Sequence, residues 1–162
     1  MRLIDFGDQG LLPECAGRLI MRKMALSDLN AVMEIENRSF PSPWSKSLFT
    51  RELSLEFSHN YVFEVNAELF GYISFWLVHG EVHIMSIAVN ERRREMGVGT
   101  EMLRRSLERA KSIGGEYAFL EVREKNHPAI TLYTNMGFDI VEVRKGYYTD
   151  TKEDALVMAK ML

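Results

Sequence analysis

A glycine-containing turn between an apolar strand and an amphipathic helix is the segment of this sequence best suited to chemistry. The turn occupies residues 89–100 and places Gly97 and Gly99 just after a run of three arginines. Where such a turn opens a helix, several backbone N–H groups stay unpaired in front of the positive end of the helix dipole. Because glycine has no Cβ, a phosphate can approach these amides closely, and the turn is a candidate anion site.

Two familiar phosphate-binding motifs do not fit this turn. The sequence has no G-x-x-x-x-G-K motif of the triphosphate-binding loop, and no third glycine completes the G-x-G-x-x-G pattern of dinucleotide-binding folds. What remains is an R-x-x-G-x-G pattern made by Arg94, Gly97 and Gly99. The alternative is an ordinary strand-to-helix connection whose glycines serve tight packing, so the pattern needs support from elsewhere in the chain.

That support lies further along the chain, in a second buried strand and a short helix. Residues 116–123 are predicted to form the strand, with Glu121 as a carboxylate within its apolar run. Asn126 or His127 can cap the helix that follows, and Gly137 suits its left-handed end. The strand, turn and helix of the first segment and the strand and helix of the second are therefore predicted to form one strand–helix–strand–helix unit.

The R-x-x-G-x-G turn, the L-E-V sequence of the strand, Asn126 and the L-Y-x-x-x-G-F helix end resemble the GNAT superfamily of acyl-CoA N-acyltransferases in order and spacing. The resemblance covers the chain from about Leu19 onward. It implies the GNAT fold, a mixed central sheet with splayed parallel strands flanked by helices. Periodicity and turn residues also indicate one α/β domain, antiparallel in its first half, with parallel crossovers around two central helices. Ser27 and Ser45 are the predicted N-caps of the two helices that precede the central ones.

The resemblance implies that acetyl-CoA is the cosubstrate and that no metal is required. Its pantetheine arm would pair with main-chain groups of the strand that ends in Ile87, Ala88 and Val89, and Asn126 would hydrogen-bond the same region. Arg94 would add positive charge, although which of the three arginines (Arg92, Arg93, Arg94) contacts a CoA phosphate stays open. The pyrophosphate would lie on the amides of Glu95, Met96, Gly97, Val98, Gly99 and Thr100.

Acyl transfer to an amine requires a base, an oxyanion donor and an acid for the leaving thiolate. Glu121 is the candidate base, because burial in an apolar strand should raise its pKa, and the RimI-type members of the family use a glutamate at this L-E-V-R position. Tyr133 matches the family's thiolate-protonating tyrosine, and an amide near Ile87 is the expected oxyanion donor. The alternatives are a glutamate on an open sheet face and a tyrosine that only packs in the core.

Two segments resemble the acceptor site of the RimI-type ribosomal-protein alanine N-acetyltransferases. One is the F-P-x-x-W-S-like stretch that contains Trp44, and the other is the late hairpin with Tyr147 and Tyr148. These three side chains are candidate substrate contacts, although Trp44 can equally anchor the core. A weaker indication is that Glu36 and Asn37 help to recognise a free amine.

The resemblance favours transfer to the N-terminal α-amine of a protein, such as a small-subunit ribosomal protein. Three alternatives stay open at the level of sequence: a lysine or small-molecule amine as acceptor, a CoA-binding module without turnover, and a structural domain without CoA. An intact Glu121 and Tyr133 argue against the second, and the phosphate turn argues against the third.

Bulk composition agrees with a small cytoplasmic enzyme. The 162 residues carry a net charge of −3, which gives no basic field for nucleic acid, and Cys15 is the only cysteine. No apolar run approaches the ~20 residues that span a membrane, and acidic residues occupy the N-terminal segment where a signal peptide needs an apolar core. We expect a flexible extension over residues 1–18 and a single acetyltransferase domain over residues 19–162.

Overall fold

The computed structural model of the protein describes residues 17–162. Within them the chain forms seven strands and four α-helices. The strands are β1 (Ile20–Lys23), β2 (Ser58–Val65), β3 (Glu68–Val78), β4 (Glu81–Val89), β5 (Tyr117–Arg123), β6 (Asp139–Tyr148) and β7 (Glu153–Met161). The helices are α1 (Leu29–Ser39), α2 (Lys46–Glu52), α3 (Val98–Ser112) and α4 (His127–Asn135), with short 3-10 turns at Leu26–Asp28 and Glu91–Arg93.

The strands form one mixed sheet in the order β1-β2-β3-β4-β5-β7-β6. Strands β1 to β4 are antiparallel to one another, and the one adjacent parallel pair among the described strands is β4 with β5, joined by α3. The predicted mixed sheet is therefore confirmed. The second crossover, through α4, returns the chain in the direction of β5, but β7 lies between β5 and β6 and pairs antiparallel with both.

Each face of the sheet is covered by different helices. Helix α3 buries the stripe predicted from its 3.6-residue period, including Met102 and Leu103 at 0% exposure, against one face. Helices α1 and α2 cover the other face, where Val32 and Phe49 pack against Tyr72. Since side chains alternate along a strand, every second residue of β4 and β5 points to the α1–α2 face, and that face carries the polar groups of the site.

The N-cap residues of three helices can be compared with those predicted from the sequence. Ser45 caps α2 by accepting a hydrogen bond from the Leu48 amide at 3.2 Å, and Asn126 caps α4 by accepting one from the Ala129 amide at 3.3 Å, as predicted. The predicted Ser27 cap of α1 is wrong. A 3-10 turn precedes that helix, and the Asp28 carboxylate instead accepts the Ala25 amide at 2.7 Å.

The predicted extension over residues 1–18 lies almost wholly outside the described residues and stays a prediction. The remainder, residues 19–162, shares the one continuous sheet. No helix between residues 17 and 162 is long and apolar enough to cross a membrane.

Candidate active site

Strands β4 and β5 part halfway along their length. Their parallel pairing ends at Ile84 and Leu120, although both strands continue beyond that point. The separation coincides with a β-bulge in β4, because Phe75 pairs with Ile84 and Ser74 pairs with Ser86, leaving Met85 unpaired. The β5-facing edge of the strand beyond the bulge is therefore open.

The residues predicted to contact pantetheine lie on this open strand. On their other side Ile87, Ala88 and Val89 pair with Ile73, Tyr72 and Gly71 of β3, which fixes their position. A main chain held on one edge and open on the other can accept an extended ligand as an added strand. The Val89 carbonyl is already partly occupied, because it accepts a hydrogen bond from the Arg94 Nε at 3.1 Å.

The turn before α3 has the backbone of an anion site. Glu95 and Gly97 both have left-handed φ angles, +61° and +77°, and no side chain caps the helix. Consecutive amides in a turn of mixed handedness converge on one side, and the first helical amides have no intrahelical acceptor. A left-handed non-glycine residue is uncommon and strained, so Glu95 marks a backbone that the surrounding structure must enforce.

The two glycines of the turn have different roles. Gly97 is required by its left-handed φ angle at the N-cap of α3. A Cβ on Gly99 would lie 3.1 Å from the Leu132 Cδ1 and 3.4 Å from the Val89 Cγ2. The missing Cβ of Gly99 makes room for packing against α4 and β4, while the approach of a phosphate to both glycines stays a prediction.

The three arginines are also distinct. Arg93 forms a bidentate ion pair with Glu68 and lies over the Phe70 ring at 4.7 Å. Arg94 is tied to the Val89 carbonyl and donates from Nη2 to the Ser39 hydroxyl at 3.0 Å. The Arg92 guanidinium has no side-chain partner among residues 17–162. The structure thus gives Arg94 a bracing role, while Arg92 is the arginine available to a ligand.

A cavity of about 450 Å³ lies where β4 and β5 separate. It brings together residues predicted from separate motifs: Trp44, Ile87, Glu121, Asn126, Tyr133, Tyr147 and Tyr148. Helix α1, the α1–α2 turn and the β6–β7 turn form its remaining walls. The predicted base, acid and acceptor contacts therefore line one continuous space. Ala88, Val89, Arg94 and the turn residues from Glu95 to Thr100 lie outside that lining, on the cofactor side.

Glu121 is held more tightly than its sequence indicated. Its Oε2 lies 2.6 Å from the His83 Nε2, and its Oε1 accepts from the Arg144 Nη1 at 2.9 Å. Burial pushes the pKa of Glu121 upward, but the hydrogen bond and charge of His83 and the charge of Arg144 outweigh it and lower the pKa. The predicted elevation of this pKa is wrong, because sequence alone does not reveal the two neighbours that hydrogen-bond the carboxylate.

His83 completes a short polar row on the α1–α2 face. It pairs in register with Phe119, stacks on that ring at 4.3 Å, and thereby lies diagonally beside Glu121. Since the glutamate is ionised, the contacting His83 nitrogen is the protonated donor. Sequence reasoning missed His83, although alternation along β4 and β5 would have placed it on the same face as Glu121.

Arg144 was also missed. It reaches Glu121 from β6, across the intervening strand β7. Its contact depends on the position of β7 in the sheet, and the order of the elements along the chain gives no signal for that position.

Tyr133 lies on α4 and lines the cavity with only 8% of its surface exposed. Its hydroxyl makes no hydrogen bond to another residue in the described range 17–162. Burial raises the pKa of Tyr133 above its ordinary value, so the phenol keeps its proton at neutral pH. A protonated, unengaged hydroxyl facing the cavity is suited to donate a hydrogen bond to a developing anion.

The acceptor side has an aromatic lining. Trp44 packs on Phe49 with ring centroids 5.3 Å apart and also lines the cavity, so its packing role is confirmed and its contact with a substrate stays a prediction. Tyr147 and Tyr148 form an edge-to-face pair at 5.2 Å. The hairpin differs from expectation in one respect, because both tyrosines end strand β6 and do not belong to the loop. Burial raises the pKa of Tyr148 to about 12 despite the Arg123 guanidinium 4.0 Å from its ring centroid.

The two turns that border the acceptor side are joined. Asp150, in the β6–β7 turn, accepts from the Ser42 hydroxyl at 2.8 Å and from the Arg123 Nη2 at 2.7 Å. Ser42 belongs to the α1–α2 turn, so this contact links two segments that are far apart in sequence. The link holds the two turns together beside the cavity.

A sheet whose parallel pair opens onto an uncapped helix start, with a carboxylate and a phenol inside, defines an acyl-CoA-dependent N-acyltransferase. The chain belongs to the acetyltransferase (GNAT) family, whose model matches residues 29–138. It is therefore an N-acetyltransferase, and acetyl-CoA is its cosubstrate.

Relatives and solved structures agree with this assignment. The chain is 41% identical to a Bacillus subtilis protein provisionally named ribosomal protein bS18-alanine N-acetyltransferase, over 85% of this chain and 92% of that one. It is 34% identical to an N-alpha-acetyltransferase of Sulfurisphaera tokodaii, over 88% and 92% of the two chains. The crystal structure of the Escherichia coli ribosomal-protein alanine N-acetyltransferase matches with a TM-score of 0.82 and 30% identity, covering 88% of this chain and 93% of that one.

Proposed function

We propose that this protein acetylates the N-terminal α-amine of a protein, and that the acceptor is a small-subunit ribosomal protein. The observation that carries the proposal is the cavity that Glu121 and Tyr133 share with the aromatic side chains of the α1–α2 turn and of the end of β6. The names of the Bacillus subtilis and Escherichia coli relatives support the same acceptor class. An acceptor of this kind places the reaction in the cytoplasm, where ribosomal proteins are made.

The reaction needs one bond to form and one to break. The neutral amine attacks the thioester carbonyl, a C–N bond forms, and the C–S bond breaks as the tetrahedral intermediate collapses. Glu121, directly or through a water, takes the proton that the amine loses. A β4 amide near Ile87 stabilises the oxyanion, and Tyr133 donates to the departing thiolate.

The lowered pKa of Glu121 favours an α-amine over a lysine. A carboxylate held by His83 and Arg144 is a weak base, so it suits an acceptor that is already partly deprotonated. An α-amine, with a pKa of about 7.7–8.0, is roughly one-tenth neutral at pH 7, whereas a lysine, at about 10.4, is less than one part in a thousand neutral. A weak base therefore favours the α-amine over the lysine, because a larger fraction of the α-amine is already neutral.

A panel of acceptors tests the proposal. Acetyl-CoA turnover is measured with an alanine-leading peptide containing one internal lysine, with the same peptide blocked at its N-terminus, and with spermidine. The free peptide should be acetylated at its α-amine, and blocking should abolish most of the transfer. Mass spectrometry that found the acetyl group chiefly on the lysine of the free peptide would reject the proposal.

The same panel tests the acceptor tyrosines. Replacing Tyr147 or Tyr148 with Ala should raise the KM for the peptide and leave the affinity for acetyl-CoA unchanged, because both rings lie on the acceptor side of the cavity. An equal loss of acetyl-CoA affinity would remove them from the acceptor site.

A further inference from the structure

Glu36 of helix α1 is a carboxylate with an unusual environment. Only 1% of the residue is exposed, yet it lines the same cavity as Glu121. No lysine, arginine or histidine within residues 17–162 forms an ion pair with it. Buried carboxylates are ordinarily paired with a cation, because removing an isolated charge from water is costly.

The carboxylate is instead held by neutral donors. Its Oε1 accepts the Trp44 amide at 2.8 Å, and its Oε2 accepts the Tyr72 hydroxyl. The Tyr72 hydroxyl in turn lies 2.8 Å from the Ser86 hydroxyl, on the open part of β4. This chain of hydrogen bonds fixes Glu36 between the acceptor turn and the strand that flanks the reaction centre.

These contacts leave binding capacity unused. Each carboxylate oxygen can accept more than one hydrogen bond, and the described structure supplies one to each. Burial raises the pKa of Glu36, which is the consequence of a desolvated charge without a counter-ion. A cation that entered the cavity would relieve that cost.

We propose that Glu36 receives the protonated α-amine of the acceptor before it is deprotonated, and so determines specificity for an amine. This inference rests on the proposed N-terminal acceptor. The two cavity carboxylates then have separate tasks. Glu36 binds and orients the ammonium group, whereas Glu121, already engaged by His83 and Arg144, accepts the proton when the amine reacts.

A matched pair of peptides tests the role of the charge. One begins with alanine, and the other begins with lactic acid, which replaces the α-amine by a hydroxyl of similar size. Their dissociation constants are measured by calorimetry at pH 7 on the protein saturated with CoA, which carries no acetyl group to transfer. The wild-type protein should bind the amine peptide about tenfold or more tightly than the hydroxyl peptide, as expected for a hydrogen bond between charged groups.

Three variants separate charge from structure. In Glu36→Gln the ratio of the two dissociation constants should fall close to one, because the amide keeps the shape of the side chain and loses its charge. Glu34→Gln, which removes an exposed carboxylate from the same helix, should leave it unchanged. Tyr72→Phe removes a hydrogen bond to Glu36 but keeps the carboxylate, so it should retain the preference even if the protein is less stable.

Two outcomes would overturn the inference. One is a wild-type protein that binds both peptides equally. The other is a Glu36→Gln variant that weakens both to the same extent, which would make Glu36 a support for the Trp44 turn only. Failure of the proposed function is seen separately, as a wild-type protein that does not acetylate the alanine peptide.

Discussion

The two ends of the active-site cavity are built from different parts of the polypeptide. At the end proposed for the cofactor the groups open to a ligand belong to the backbone: the open edge of β4 and the uncapped amides before α3. At the end proposed for the acceptor they are side chains on α1, β4, β5 and β6, held by hydrogen bonds between distant segments. A backbone site tolerates most substitutions that preserve its φ angles, whereas a side-chain site depends on each residue. The comparison predicts where mutations act and how strongly.

The largest effect is expected at the acceptor end. Glu121→Gln should lower turnover by about 10²-fold or more at neutral pH, because it removes a general base. The deficit should shrink at alkaline pH, where the amine is already neutral. Since the pKa of Glu121 is lowered, the wild-type carboxylate stays ionised above that pKa and loses its function only as pH falls through it. A turnover–pH profile of both proteins measures this, and equal rates across pH would exclude the role.

Tyr133→Phe should lower turnover by roughly tenfold to a hundredfold and leave the affinity for acetyl-CoA nearly intact. In the proposed mechanism the phenol donates to the leaving thiolate, and the ring that packs on Phe138 is preserved in the variant. Single-turnover kinetics combined with calorimetry separate the two quantities. A variant with wild-type turnover would show that Tyr133 only packs in the core.

At the cofactor end, Gly97→Val should weaken acetyl-CoA binding by about tenfold, because a left-handed residue with a Cβ costs roughly 1–2 kcal/mol and distorts the amides. Gly146→Val is the matched control, since Gly146 also has a left-handed φ but lies in β6 with open space around it. Both variants should be less stable, and only the first should lose acetyl-CoA affinity by calorimetry. Unchanged affinity in Gly97→Val would exclude the turn as the anion site.

The smallest effect should separate the arginines. Arg92→Ala should weaken acetyl-CoA binding a few-fold, by less at high salt, because an exposed charge facing a phosphate contributes about 1 kcal/mol or less. Arg94→Ala should lower the melting temperature more than the affinity, since Arg94 braces Val89 and Ser39. The reverse pattern would return the phosphate contact to Arg94.

The cofactor end could be predicted from sequence because its parts are contiguous. The turn, its glycines and the helix behind it lie within one short segment, so their pattern could be recognised, with support from the second strand and its helix. Even there the packing partners of Gly99 could not be predicted, since Leu132 and Val89 come from two different elements. A local sequence pattern predicts the conformation of the backbone, but it does not predict which side chains from other elements pack against that backbone.

The acceptor end was predicted only in part. Local motifs selected Glu121 and Tyr133, and both line the cavity. The sign of the Glu121 pKa shift depends on His83 and Arg144, which lie on other strands. Glu36 received only a weak indication, because burial and the missing counter-ion are properties of the folded chain. The surroundings of these two carboxylates come from several elements of the fold. They depend on the order and register of the strands, which the sequence pattern does not determine.

The position of β7 has a consequence for how the protein is made. Strand β7 comes last in chain order, yet it pairs with β5 on one side and β6 on the other. During translation β1 to β4 and α3 leave the ribosome well before β7 does. In the folded sheet Arg144 reaches Glu121 across residues 153–161, which lie between their strands. The contact between Arg144 and Glu121 therefore depends on a strand that is synthesised after both of these residues.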